Sequence, residues 1–206
     1  RDFTHYQVKF TSTTTAEGKC MAGIPEAPLA KVGNTRKKGS LIRFMPDDAI
    51  FEDVKFNGDT VSRRLQELAY LNRGLKIVFV DERVKDADAR EKVFCYEGGM
   101  ADFVRFLNAD KTAITEPIVF EATREGTLVR VAIQYTDSYT ENIYSFVNNV
   151  PTAEGGSHET GFKAAFTKML NDYARRIGAL REKDANLSGE DFREGLTCVL
   201  ITMVKN

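Results

Sequence analysis

Residues 141–176 constrain the fold of this chain more than any other stretch, because they join a strand-like run, a glycine turn and a long basic helix. Between residues 161 and 180 the apolar side chains recur at helical spacing and fall within one arc of roughly 80–100°. This pattern predicts an amphipathic helix with one buried stripe, made of Phe162, Phe166, Met169, Leu170, Tyr173, Ile177 and Leu180.

The outward face of this predicted helix is basic. Only Asp172 and Glu182 oppose six positive side chains that point away from the stripe or flank it, namely Lys163, Lys168, Arg175, Arg176, Arg181 and Lys183. We therefore expect a positive potential on this face. The pattern is compatible with a solvated charged face, the commoner case, and with a surface that binds DNA.

Composition limits the chain to one large or two small globular domains. Its 206 residues are 42% hydrophobic, which is enough for a real core. The net charge is −1, with 29 basic and 30 acidic residues, so a nucleic-acid surface would have to come from local clustering. No run approaches about 18 consecutive apolar residues, and the start does not resemble a signal peptide, so the sequence predicts neither a membrane span nor secretion.

The cysteines and histidines are too sparse to predict a metal site. The three cysteines lie far apart without CxxC spacing, which indicates free thiols in a reducing compartment rather than zinc ligands. They are Cys20, Cys95 and Cys198. His5 and His158 are isolated in sequence, and no HExxH motif is present. For His158, beside Ser157, the sequence favours a structural role at the helix start over nucleophilic catalysis.

Taken in order, the chain mixes strand and helix patterns as an α+β fold does. After a strand-like start in residues 1–10, strands are predicted at residues 40–46, 75–80, 91–96, 117–123, 128–135, 143–150 and 196–204. Further helices are predicted from Asp59 or Thr60, over residues 100–107, and from Ser188, whose spacing to Asp191 forms a capping box. The almost wholly apolar run 196–204 is typical of a central strand covered on both faces.

Several of these stretches resemble one family. ENIYSFVNN followed by EGGSHETGFKAA resembles the transducer domain of the B subunit of bacterial type II DNA topoisomerases, gyrase or topoisomerase IV. GIPEAPL, KKGSLIRFMPDDAIF, RRLQELAYLNRGLKIVFVDER and FCYEGG resemble the back half of the ATPase domain of the same family. The chain starts at Arg1 with no preceding methionine, and we therefore expect it to be a fragment of something longer.

The resemblance implies an α+β fold in two parts. Residues 1–98 would be the C-terminal part of a Bergerat-type ATPase domain, and residues 99–206 a transducer domain, incomplete at its C-terminus. The transducer part would have the ribosomal-protein-S5-like fold, with a mixed four-stranded sheet backed by helices. The junction would lie at Gly98 and Gly99.

The resemblance also implies a function. The parent protein would be the ATP-driven subunit of an enzyme that supercoils or relaxes DNA by duplex passage, using ATP and Mg²⁺. This segment would relay nucleotide-driven closure and contact the captured duplex. Its partners would be double-stranded DNA, the topoisomerase A subunit and a second B subunit on ATP binding, in the cytoplasm at the nucleoid or in an organelle. The glycine-rich lid and the acidic motifs of the family's nucleotide site are absent from the sequence, so we expect no catalytic residue and no bound nucleotide or metal here.

Two groups of functional-site residues are predicted. By resemblance, Arg1 and Ser40 would lie at the rim of the nucleotide pocket, although by themselves they fit an exposed charge and a strand-start hydroxyl. The basic helix predicts sequence-independent phosphate contacts from Lys163, Lys168, Arg175 and Arg176. Two alternatives remain: a non-catalytic interaction module, and a mismatch-repair or chaperone ATPase with the same two-domain layout, against which LAYLNRGLKI, YEGG and EGGSHETGFKAA argue.

Overall fold

The structure, a computed structural model, describes residues 3–11, 23–43, 46–48 and 51–205. By internal contacts the chain divides into two units, residues 1–57 and residues 58–206. This division does not coincide with the functional boundary expected after residue 98, which stays a prediction.

The first unit contains two small antiparallel ladders within its described residues. Strand β1 (Thr4–Gln7) pairs with β4 (Ala30–Asn34), and β2 (Phe10–Thr11) pairs with β3 (Ile24–Pro25). The strand predicted at residues 40–46 is wrong for residues 40–43, which form no strand and leave Leu41 94% and Ile42 84% exposed. An apolar run becomes a strand only where a neighbour pairs with its backbone. Phe44 and Met45 lie outside the described residues.

The second unit is built on a five-stranded mixed sheet. Its strands are β7 (Ile118–Arg124), β8 (Thr127–Tyr135), β9 (Asn142–Val147), β10 (Val150–Pro151) and β11 (Leu196–Met203). They lie in the order β10-β9-β11-β8-β7. The central strand β11 therefore has two partners, and it pairs antiparallel with β8 and parallel with β9.

The mixed sheet is confirmed, but the predicted count of four strands is wrong. Residues 143–150 were expected to form one strand. Instead Asn148 and Asn149 adopt left-handed backbone conformations, with φ of 49° and 64°, and fold the chain back into β10. Asparagine tolerates this conformation better than most residues, and two such residues in a row make a tight hairpin turn.

Helices and a hairpin complete the second unit. The strands predicted at residues 75–80 and 91–96 form an antiparallel hairpin of β5 (Ile77–Val80) and β6 (Glu91–Phe94), and the predicted helix at 100–107 is confirmed as α3 (Met100–Leu107). The long basic helix runs from Ser157 to Arg176 rather than from residue 161 to residue 180. The remaining helices are α1 (Gly58–Leu71), α2 (Ala87–Arg90), α4 (Ser157–Arg176) and α5 (Gly189–Arg193).

Local capping explains where α5 begins. The Ser188 side chain accepts a hydrogen bond from the backbone N–H of Asp191, and the Asp191 side chain accepts one from the backbone N–H of Ser188. This is the predicted capping box, which satisfies two N–H groups that a helix start otherwise leaves unpaired. Gly195 then turns the chain into β11 with a φ of 72°.

The sheet has an apolar core on each face. On one face α1 and α3 pack against the sheet, with Tyr70, Phe103, Val104, Phe146, Val199 and Ile201 at the centre. On the other face α4 packs through Phe166 onto Val131, Ile133, Leu196, Cys198 and Leu200. Strand β11 is therefore buried on both faces, as predicted. Burial also raises the pKa of the Cys198 thiol, so Cys198 remains protonated as part of the core.

The described residues contain neither a membrane-spanning helix nor a metal-ligand cluster. Across these residues, no helix is both long and apolar enough to cross a membrane. Within the same part of the chain, no three His, Cys, Asp or Glu side chains lie close enough together to hold a metal ion.

Candidate nucleic-acid interface

The loop that leads into α4 is held by a chain of polar contacts. Gly155 has a φ of 74°, a conformation that favours glycine. The Oγ1 atom of Thr152 lies 3.2 Å from Nε2 of His158 and 2.7 Å from Oγ of Ser145. The Ser145 hydroxyl also donates to Glu159 at 3.0 Å. His158 thus makes a structural contact at the start of the helix.

Lys163 points into a cluster of opposite charges. Its Nζ lies 3.0 Å from Oε1 of Glu141 and 3.0 Å from Oε1 of Glu159. Nε of Arg193 on α5 lies 2.9 Å from the other oxygen of Glu141. The hydrogen bond to Glu141, helped by Glu159, raises the pKa of Lys163. Burial alone would raise the pKa of Glu141, but the hydrogen bonds from Arg193 and Lys163 lower it.

Arg175 ties α4 to the segment that follows it. Its guanidinium donates to the backbone O of Arg181 at 2.5 Å, to the backbone O of Asp184 at 2.9 Å and to Oδ1 of Asn186 at 2.6 Å. One turn earlier, buried Asn171 exchanges two hydrogen bonds with the backbone of Leu187. Arg175 therefore has a structural role in addition to the predicted one.

Lys168 and Arg176 face solvent on the same side of α4. Within the described part of the chain, the Lys168 ammonium makes no hydrogen bond or ion pair. The Arg176 guanidinium lies 5.0 Å from the centre of the Tyr173 ring, and Asp172 lies on the same surface between the two cations. Of the four predicted DNA contacts, these two are the ones whose charged groups stay available.

An open groove of about 530 Å³ runs between α4 and the segment that leads to α5. The structure places three predicted or newly found cations along it, Lys163, Lys168 and Arg193. Hydroxyl groups of Thr160 and Thr167 also line it. Such a mixture of cations and hydroxyls can bind the phosphates of a nucleic-acid backbone.

The predicted buried stripe of α4 is only partly right. Phe166 is buried and Leu170 packs on the sheet core, but Met169, Tyr173 and Ile177 are 51%, 46% and 59% exposed. Of the predicted stripe, the sheet core covers Phe162, Phe166 and Leu170.

Of the two predicted nucleotide-pocket residues, the structure describes one. Arg1 lies outside the described residues. Ser40 is exposed in the first unit and belongs to no strand. Both assignments stay predictions.

The charge cluster around Glu141 was not predicted. The pair Glu159–Lys163 was detectable in principle, because residues four apart share a helix face. The contact between Glu141 and Arg193 joins residues 52 apart, and no local pattern points to it.

Comparison with known proteins identifies the family. Residues 99–206 match the family model described as DNA gyrase B. The chain is 48% identical over 176 residues to the B subunit of DNA gyrase from Clostridium acetobutylicum, covering 84% of this chain and 27% of that protein. It is 47% identical over 179 residues to the B subunit of DNA topoisomerase 4 from Enterococcus faecalis, covering 86% of this chain and 26% of that protein. The chain thus spans about a quarter of the length of these relatives.

Solved structures of gyrase B subunits are similar to this chain in fold. The 43K ATPase domain of Thermus thermophilus gyrase B, in complex with an aminocoumarin, superposes with a TM-score of 0.71 at 30% identity, over 100% of this chain and 56% of that one. The B subunit of the Myxococcus xanthus DNA gyrase, at 24% identity and a TM-score of 0.70, has the same fold over 97% of this chain and 57% of its own. The family resemblance noted in the sequence is confirmed, and the chain belongs to the DNA gyrase B family.

Proposed function

We propose that this chain is part of the ATP-driven B subunit of a type II DNA topoisomerase, which passes one DNA duplex through a break in another. In this proposal residues 1–98 belong to the ATPase domain and residues 99–206 to the transducer domain. The observation that carries it is the family match over residues 99–206. Relatives named gyrase and topoisomerase 4 are similar to nearly the same degree, 48% and 47% identical, so the proposal covers both.

ATP and Mg²⁺ would act in the full-length subunit, where nucleotide binding would drive closure. The glycine-rich lid and the acidic motifs of the family's nucleotide site do not occur in the sequence, so the proposal assigns the metal ligands and the hydrolytic residues to other parts of the subunit. Arg1 and Ser40 are proposed only as residues at the rim of the nucleotide pocket.

The partners follow from the same proposal. They are double-stranded DNA, the topoisomerase A subunit and, on ATP binding, a second B subunit. The protein would act in the cytoplasm, associated with the nucleoid.

A relay from ATPase to transducer needs contacts between residues before and after residue 98, and two contacts in the second unit support the proposal. The ring of Tyr70 on α1 stacks on Phe103 of α3 at a centroid distance of 5.0 Å. The side chain of Asn149 donates to Asn72 at 3.3 Å. A displacement of α1 would therefore move both α3 and the turn between β9 and β10.

Helix α4 would contact the captured duplex through its phosphates. Lys168 and Arg176 carry this role, because their charged groups face solvent without a carboxylate partner among the described residues. Lys163 and Arg175 add charge to the same helix but are held by protein acceptors. These contacts would be independent of DNA sequence and would weaken with salt, because binding releases counterions from the phosphates.

The test is a charge-removal series in the full-length subunit assembled with its A subunit. In Lys168→Gln/Arg176→Gln, two lost phosphate contacts should flatten the dependence of log K on log salt by about 1.8 and slow strand passage. The matched control is Lys85→Gln/Lys92→Gln, which removes the same charge from exposed positions away from α4 and should leave the slope unchanged. Unchanged passage and slope in the α4 variant would refute the proposed contact.

A further inference from the structure

Glu141 joins two cations that belong to different elements. It immediately precedes β9, and its two carboxylate oxygens contact Nζ of Lys163 on α4 at 3.0 Å and Nε of Arg193 on α5 at 2.9 Å. Both cations line the groove beside α4. Lysine and arginine bind carboxylates and phosphates through the same charge-assisted hydrogen bonds. The Glu141 carboxylate therefore occupies the position that two oxygens of a phosphodiester could take.

The charges in this cluster cancel. Lys163 and Arg193 contribute two positive charges, and Glu141 and Glu159 contribute two negative ones. The groove therefore presents no surplus charge at this point, although two cations line it. Titration near neutral pH does not change this balance, because the contacts lower the pKa of Glu141 and raise the pKa of Lys163. Only a competing anion or a movement of the chain frees the cations.

Glu141 is the more exchangeable of the two carboxylates. Glu159 lies one helical turn from Lys163 on the same helix, and it also accepts a hydrogen bond from Ser145 at 3.0 Å. Its side chain is 19% exposed, against 28% for Glu141. Within the described residues, Glu141 is held by Lys163 and Arg193 alone. A phosphate that enters the groove can replace both of these contacts at once.

We propose that Glu141 is an internal competitor for DNA phosphate, which keeps Lys163 and Arg193 neutralised until a phosphodiester of the captured duplex displaces it. This inference rests on the proposed contact between α4 and DNA, and it concerns how strongly that contact holds. Because displacement of Glu141 offsets part of the binding free energy, the duplex is held more weakly than the number of cations implies. Weak holding suits a segment that must be released after passage.

The experiment is duplex binding by the full-length subunit with Glu141→Gln, measured with labelled DNA between about 50 and 200 mM salt. Glutamine has the same shape, but its single amide oxygen can accept from one of the two cations only, and it raises the charge of the cluster from zero to +1. The salt slope should steepen by about 0.9, so the loss of affinity over this range should grow by about threefold. Wild-type affinity and slope in the variant would overturn the inference.

Two further variants show whether the effect passes through this cluster. Glu121→Gln makes the same charge change at an exposed carboxylate paired with Arg130 at 2.9 Å, on the β7–β8 hairpin, and should bind like wild type. Glu141→Gln combined with Lys163→Gln restores a neutral cluster and should return the slope to the wild-type value. A steeper slope that persists in this double variant would overturn the inference.

A second substitution guards against a folding defect. If Glu141→Gln does not unfold cooperatively like wild type, Glu141→Ala replaces it. This variant also raises the charge of the cluster to +1, so the slope should steepen by about 0.9, and an unchanged slope would overturn the inference. Comparison with Lys168→Gln/Arg176→Gln separates the two proposals. If only that variant alters the slope, the DNA contact stands and the role of Glu141 is refuted; if neither does, both are refuted.

Discussion

Arg175 and Arg176 are adjacent and carry the same charge, yet their contacts predict opposite effects when each is removed. Arg175→Ala deletes three hydrogen bonds from a charged donor to the segment after α4. Such bonds contribute about 1.5–3 kcal/mol each where they are buried, and less where water can replace the donor. Because this segment is largely exposed, we expect a total loss of about 2 kcal/mol. For a unit of roughly 150 residues this lowers Tm by about 6 °C.

Arg176→Ala removes only the exposed stacking on Tyr173. Cation–π contacts at exposed sites contribute about 0.5–1 kcal/mol, so Tm should fall by about 1.5–3 °C. For DNA binding, Arg176→Ala should have the larger effect of the two variants. Arg176→Ala should flatten the salt slope by about 0.9, and Arg175→Ala should leave it nearly unchanged.

Thermal unfolding of the 206-residue chain measures the first effect, and amide hydrogen exchange over residues 177–188 shows where it acts. Exchange should accelerate there in Arg175→Ala and stay at the wild-type rate in Arg176→Ala. Arg175→Lys is the control. It keeps the charge but not the planar group that contacts three acceptors, so it should be destabilised almost as much as the alanine variant. Equal Tm values for the two alanine variants, or full recovery with lysine, would refute this reasoning.

Three further predictions concern stability. Gly195→Ala should lower the free energy of unfolding by about 2–3 kcal/mol in denaturant titration, because φ is 72° and a Cβ would lie 2.5 Å from the Thr136 carbonyl O; a change below about 1 kcal/mol would contradict the turn geometry. Ser188→Ala should lower it by about 1 kcal/mol through loss of the α5 cap, and Ser188→Asp, which can still cap, should recover most of this. The pKa of Glu141 is lower in the folded state than its ordinary value of 4.5. The ionised carboxylate therefore stabilises the fold above pH 4.5, and this stabilisation is lost as the pH falls through the folded-state pKa. Glu141→Gln should make the free energy of unfolding less dependent on pH in that acid range.

Features set by neighbouring residues could be predicted from the sequence. Helix α3 lies at the predicted residues 100–107, and the Ser188 capping box forms as expected. Strand β11 was expected to be central because its run is almost entirely apolar, and it is buried on both faces. In each case the deciding interactions lie within a few residues of one another, or depend on hydrophobicity alone.

Other features depended on what each segment meets in space. Residues 40–43 are apolar enough for a strand but form none. The fifth strand exists because two asparagines adopt left-handed conformations, which the sequence permits but does not require. Met169 continues the stripe of α4 by helical spacing, but it does not belong to the cluster that packs on the sheet and is 51% exposed.

In the candidate interface, too, some features could be predicted from the sequence and others depended on the tertiary structure. The sequence by itself determined the family, the mixed sheet and a long helix with a basic face, because these follow from motifs, hydrophobicity and helical spacing. Only the tertiary structure decided which cations stay available. Lys163 meets Glu141, Arg175 meets the segment around Asp184, and Lys168 makes no such contact within the described residues. The net charge of a surface depends on partners from distant parts of the chain, and folding alone brings those partners together.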